Sequence, residues 1–252
     1  MNQSVLKAIQ LLELFTDKDS ELTLHEISER SNIPKPTAYR LLMTLESGGL
    51  LEKKVESAHD AKYRLGLKLL ELGELVARRL ELRNIALPIM QKLAEQINEA
   101  IHLVIVNHDK ATYIEKVDSD RALRLNTRIG KSIPLYIGSG PKLLLAYLSK
   151  EKQEKILSDP LEPLADGREV NKEQLRQELE TIRKNGYAFS VSEQDLDTTG
   201  ISFPIFNYEG KVIASLAISG LSSYYEGENL EKIKEKSEGA AQNISKQLGY
   251  RK

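Results

Sequence analysis

The sequence predicts a mixed fold in three parts. Residues 1–66 form an α-rich domain closed by a small hairpin, 67–83 a leucine-rich linker helix, and 84–252 an α+β domain with a mainly antiparallel sheet. Three observations predict it. Helical apolar spacing and helix-start signals fill the chain up to residue 47, and two short strand-like runs then flank a polar loop. Beyond residue 84, strand-like runs adjoin in sequence while helical runs cluster, which favours α+β over alternating βα units. The 252 residues allow one large domain or two smaller ones.

Val5, Leu6, Ile9, Leu12 and Leu14 recur at helical spacing up to about Phe15, and the polar run TDKDSEL follows. Thr23 stands three residues before Glu26, a capping-box pattern that opens a short helix to Arg30. Ser31-Asn32 makes a turn. Pro34 and Pro36 suit a helix start, where a missing N–H costs nothing, and the third helix stops at Ser47-Gly48-Gly49. Leu50–Val55 and Lys62–Leu65 are the paired strands. The expected core is Ile9, Leu12, Leu24, Ile27, Ala38, Leu41, Leu42, Leu45 and Leu50. Three helices and a hairpin make a winged helix-turn-helix.

From Leu67 to Leu82, leucines occupy more than one helical face, so the surplus face needs a partner, either a second copy or the rest of the chain. Helices are then expected over 88–98, 142–148, 151–157, 172–185 and 228–248. Strands are expected over 100–106, 112–117, 123–126, 187–191, 201–206 and 212–219.

Composition excludes several classes. With no Cys there is no disulfide framework and no thiolate chemistry. No apolar run reaches 18 residues, so no membrane span is expected. The N-terminus lacks a signal-peptide pattern, and a cytoplasmic protein is expected. His25, His59, His102 and His108 show no paired helical spacing for zinc. No GxSxG elbow or acid pair announces an enzyme. Ser139 near Lys142 is the one nucleophile–base pairing that catalysis could use, and turnover would have to show it. No cofactor is expected, since the glycine-rich run 130–142 lacks the Walker spacing.

The third helix carries the first functional expectation. With Ala38, Leu41, Leu42 and Leu45 inward, Lys35, Pro36, Thr37, Tyr39, Arg40 and Thr44 face outward, as a helix entering a major groove requires. Arg40 suits bidentate contact to guanine or phosphate. Lys53, Lys54, Lys62 and Arg64 of the wing suit backbone neutralisation. Residues 1–66 nonetheless hold nine Lys/Arg against ten Asp/Glu, so bulk charge does not decide between DNA and a protein partner.

In the C-terminal domain, Gly130–Lys142 is a glycine-rich stretch entering a helix near Pro141. Such a start offers free N–H groups to an anion, with Gly138, Ser139 and Gly140 at the mouth; a plain loop and cap is the alternative. Asp195, Asp197, Thr198 and Thr199 suit ligand hydroxyls, or form an ordinary solvated loop. Arg128 stands where it could balance a carboxylate, or pair with a neighbouring acid.

Ser4–Phe15, Leu24–Ser28, Ile33–Leu42, Thr44–Leu50 and Tyr63–Gly73 together resemble the IclR family of bacterial transcription regulators, and the resemblance continues through nearly the whole chain. It implies DNA binding by the N-terminal module and a GAF-like effector-binding domain behind it. Pro36 stands where the family often has Ser, and Pro141 where it often has Gly. Asp197 replaces a usual Gly, with Gly200 following. By the same resemblance Ala217 and Ser219 lie on a strand facing the ligand, and the departures imply an effector other than the smallest oxo acids. The expected partners are double-stranded operator DNA, a small organic acid of possibly sugar-derived kind, and further copies of the chain in a homodimer or homotetramer. Repression relieved by the effector is the first expectation. Effector-dependent activation and a protein-docking metabolite sensor are the alternatives.

Overall fold

The computed structural model describes residues 2–16, 18–57, 60–79, 81–121 and 127–251. The chain divides into two compact units, Met1–Leu80 and Glu81–Lys252.

The first unit holds α1 (Gln3–Leu12), β1 (Leu22–Thr23), α2 (Leu24–Ser31), α3 (Lys35–Ser47), β2 (Leu51–Ser57), β3 (Asp60–Leu65) and α4 (Lys68–Arg79). The capping box forms as expected: the Glu26 amide donates to Thr23 Oγ1, and Glu26 accepts the Thr23 amide at 2.8 Å. Asn32 ends α2 in the left-handed region at φ 54°, which turns the chain into α3. Ser28 Oγ locks that turn by donating to the Ile33 carbonyl at 2.7 Å. β1 adds to β3, so the wing is a three-stranded sheet of order β1-β3-β2, one strand more than the pattern predicts.

The face that α1 buries differs from expectation. Leu11 and Phe15 enter the core while Ile9 is 48% exposed. Leu22, Ile33, Leu51 and Tyr63 complete the core with Ile27, Ala38, Leu42 and Leu45. Apolar residues occupy several faces of α1, so spacing alone does not select the inward one.

The second unit begins with α5 (Glu81–Ile97), which starts seven residues before the expected Pro88. Pro88 lies on its exposed side, while Ala86, Met90, Leu93 and Ile97 face inward. Then come β4 (Ala100–Asn107), β5 (Lys110–Val117), β6 (Ser132–Pro134), α6 (Ser139–Tyr147), α7 (Lys150–Ser158), α8 (Lys172–Asn185), β7 (Ala188–Val191), β8 (Thr198–Phe206), β9 (Val212–Leu221) and α9 (Gly227–Gln247). The strand expected over 123–126 lies outside the described residues. The sheet order is β6-β5-β4-β9-β8-β7, with every described pairing antiparallel.

Alternation assigns the sheet's two faces. Ile101 and Leu103 of β4, Ile201, Phe203 and Ile205 of β8, and Leu216 and Ile218 of β9 pack with α5 and α9. Val104 and Ala217 face the opposite core, which α6 and α8 close with Leu143, Leu144, Leu175 and Leu179.

Candidate functional site

The outer face of α3 is as the pattern predicts. Lys35, Pro36, Thr37, Tyr39, Arg40 and Thr44 are exposed, and Ala38 and Leu42 are fully buried. Among the described residues Lys35, Arg40 and Lys53 form no ion pair, which leaves them available to phosphates or base edges. The wing is partly self-neutralised. Arg64 pairs with Glu52 at 2.7 Å and Lys54 with Glu21 at 3.3 Å. Lys62 is half-buried on β3 opposite Lys54. One helix and one hairpin thus carry all ten residues expected to meet DNA.

The second site is built by register. β4 pairs with β9 so that His102 faces Ala217, and β8 pairs with β9 so that Gly200 faces Ser219. These side chains share the α6 face of the sheet. Because Gly200 and Ala217 are small, the sheet is hollow there. The N-terminus of α6 covers the hollow, leaving a cavity of about 40 Å³. Its lining includes Gly138, Ser139, Gly140, Asp195, Gly200, Ala217 and Ser219, all expected from the sequence.

Close packing dictates the glycines. Gly138 adopts φ 86° and ψ 162°, a region for glycine alone. A Cβ on Gly140 would sit 3.0 Å from the Ala217 Cβ, and one on Gly200 would sit 2.8 Å from Ser139 Oγ. Helix α6 starts at Ser139, two residues before the expected Pro141. The Ser139 and Gly140 amides, in its first turn, have no acceptor within their own helix.

Two expected residues are elsewhere. Arg128 is exposed and does not line the cavity; its neighbour Thr127 is the buried one that does. Alternation along β8 sends Thr198 and Gly200 to the cavity but Thr199 away, where its hydroxyl donates to Ser222 Oγ at 2.9 Å.

Sequence reasoning missed His102, Tyr113, Ser190, Glu193 and Gln194, which also line the cavity. His102 Nε2 lies 3.0 Å from Ser219 Oγ, while its Nδ1 is buried with no partner among the described residues. Burial holds its pKa down to about 3, with the Lys116 charge adding to the effect, so the imidazole is neutral. The Tyr113 hydroxyl donates to Gln194 Oε1 at 2.8 Å, and burial pushes that phenol up. Glu193 accepts the Gly138 amide at 2.8 Å and meets Lys142 Nζ at 2.6 Å. Lys142, 3% exposed, also pairs with Glu178. Glu193 therefore already holds one backbone donor at the mouth of α6, and the strap 192–197 closes the cavity. The one available signal was His102 within an apolar run, at an alternate position from Ile101 and Leu103.

Among the described residues there is no His/Cys/Asp/Glu cluster fit for a metal, and no helix is long and apolar enough to cross a membrane.

Two family models divide the chain between them. Residues 4–54 match the IclR helix-turn-helix domain, and residues 74–246 match the bacterial transcriptional regulator IclR C-terminal domain. The chain is 36% identical to the HTH-type transcriptional regulator KipR of Bacillus subtilis, covering 99% of this chain and 98% of that one. It is 26% identical to the transcriptional repressor IclR of Escherichia coli, over 86% of this chain and 80% of that one. The crystal structure of an IclR homolog complexed with 4-hydroxybenzoate, from Microbacterium hydrocarbonoxydans, superposes with TM-score 0.84 at 28% identity, covering 98% of this chain and 99% of that one. These families are regulators rather than enzymes. A helix-turn-helix with a solvent-facing third helix and a wing in the first unit, and a small polar cavity capped by a helix start in the second, fit the two matched families, and this chain belongs to the IclR family of bacterial transcriptional regulators.

Proposed function

We propose that the chain is a homodimeric or homotetrameric repressor that leaves its operator when a small hydroxylated organic acid binds. Residues 1–66 would bind DNA, 67–83 would join copies, and 84–252 would hold the effector. The observation that carries the effector reading is the cavity under α6. Ser139 and Gly140 present N–H groups for a carboxylate, while Ser139, Ser190, Thr198 and Ser219 line the space with hydroxyls and Asp195 with an acceptor. At about 40 Å³ the cavity holds little more than a water, so the strap 192–197 must open and Glu193 must yield its amide to the ligand. A relative bound to 4-hydroxybenzoate and another described as a repressor support the sign and the ligand class. On α4, Leu72 and Leu75 are exposed three residues apart on one face and supply an apolar stripe for a second copy. Acting on chromosomal DNA, the protein would work in the cytoplasm.

The test is fluorescence anisotropy on DNA from around the protein's own gene, over a salt series. Arg40→Ala is expected to weaken specific binding by about 1–3 kcal/mol. A panel of hydroxy acids is then expected to release wild type but not the Ser139→Ala/Ser219→Ala double variant. Unchanged affinity in Arg40→Ala removes that residue from the recognition set. An acid that tightens DNA binding reverses the sign of regulation.

A further inference from the structure

A second and larger cavity, of about 780 Å³, lies at the other end of the same elements. Helix α6 starts at the first cavity with Ser139 and ends at the second with Tyr147, roughly 12 Å further along its axis. Strand β8 likewise runs from Gly200 in the first to Phe206 in the second.

The walls of the second cavity are aromatic. Phe206 meets Tyr147 edge-on at 6.2 Å and stacks on Tyr250 at 4.8 Å with an interplanar angle of 20°. Tyr250 belongs to the segment after α9. Its amide donates to the Ser245 carbonyl at 3.0 Å, so that segment is a fixed wall rather than a loose tail. Tyr147 and Tyr250 both remain half-exposed, which leaves ring surface for a flat ligand.

The rim is cationic. Arg183, Lys184, Lys246 and Arg251 line it, and among the described residues none of the four forms an ion pair. Three arginines elsewhere in this unit sit on acids, as Arg83–Glu115, Arg121–Glu99 and Arg176–Glu154. The one acid at the rim, Glu238, accepts from Gln242 at 3.2 Å. Against the one acid, these four exposed cations give the described rim a net positive charge, which suits an anion whose flat apolar body covers the rings. The Arg183 guanidinium, 5.9 Å from the Tyr147 ring centroid, suits a carboxylate held at the edge of a stacked ring.

We propose that this cleft is a second ligand site, separate from the cavity under α6, and that it takes a planar aromatic carboxylate. Its volume falls within the ordinary range for small-molecule sites.

The probe is 2-naphthoate, titrated into the full-length protein and followed by its own fluorescence. The chain has no Trp, so protein emission interferes little. Saturable binding is expected. It should weaken about tenfold or more in Arg183→Gln/Lys246→Gln, and similarly when the uncharged 2-naphthalenemethanol replaces the acid. Tyr147→Leu should weaken both compounds, and Ser139→Ala should leave naphthoate binding unchanged. Absence of saturable binding, or equal affinity for acid and alcohol, overturns the proposal. Loss in Ser139→Ala with none in the charge variant places the ligand under α6 instead, and also overturns it. If the charge variant changes the mass by light scattering and wild type binds no naphthoate, the cleft is a contact between copies.

Discussion

Removing the Lys142 ammonium should cost the C-terminal unit about 3–4 kcal/mol of stability. Lys142 is 3% exposed and serves two carboxylates, Glu193 at 14% and Glu178 at 38% side-chain exposure. Lys142→Met keeps most of the side-chain volume and deletes the charge. Glu193 then keeps the Gly138 amide at 2.8 Å but loses its counter-charge while largely buried. Breaking a buried pair from one side costs about 3–5 kcal/mol. Glu178 regains water, so its half contributes no more than an exposed pair, up to about 1 kcal/mol. Some of the loss returns as apolar contact from the methionine, leaving a net of about 3–4 kcal/mol. In a domain of roughly 170 residues this lowers the Tm by about 6–16 °C. Differential scanning calorimetry on the full chain reads the transition directly. The double variant Lys142→Met/Glu193→Gln should recover about 1–2 kcal/mol, because the stranded charge is gone. A single variant that melts within about 2 °C of wild type would refute the view that this lysine holds the strap and α6 together.

His102 predicts a pH effect. Its pKa is near 6.5 unfolded and about 3 folded, so the unfolded chain binds the proton first. The contribution is intact above about pH 6.5 and is lost as pH falls toward 3; between about pH 7 and 5 it amounts to ~2 kcal/mol. His102→Gln should flatten that part of the profile in urea melts, and an unaltered profile would assign the acid sensitivity to other groups. Gly138→Ala should destabilise by about 1–3 kcal/mol, since φ 86° with ψ 162° excludes a side chain. Gly239→Ala, exposed within α9 with nothing near its Cβ, should instead stabilise by about 0.5–1 kcal/mol; equal effects in chemical denaturation would void the conformational argument. Leu72→Lys with Leu75→Lys on α4 should reduce the assembly to monomers by light scattering, and an intact oligomer would rule out this stripe as the contact.

Legibility followed the range of the interactions involved. The α2 cap, the outward face of α3 and both ends of α8 depend on residues within one or two turns, and the sequence displays them directly. Leu11 was missed because α1 is apolar on several faces and only tertiary packing selects one. His102, Tyr113 and Gln194 meet through strand pairing and a bond spanning 81 residues, and no local pattern encodes that register. Arg128 and Thr199 show the same principle reversed: each has chemistry fit for the cavity, and each is turned away while its neighbour is turned in. The glycine-rich run was readable because its chemistry is local, a sharp turn into a helix start.

The ion pairs of the wing change what happens when it meets a duplex. Glu52 and Glu21 act as tethered counterions on Arg64 and Lys54. A phosphate that takes either one must evict a carboxylate belonging to the same molecule. Where the carboxylate stays, that cation neutralises no phosphate and frees no counterion from the DNA, so affinity would fall less steeply with salt than roughly 0.9 decades per decade for each basic residue. Indiscriminate attraction to any backbone is damped in proportion. The chromosome presents an enormous excess of phosphates at wrong addresses, and on the proposed mode of binding a hairpin already occupied by its own acids would engage only where groove contacts of α3 made the exchange worthwhile.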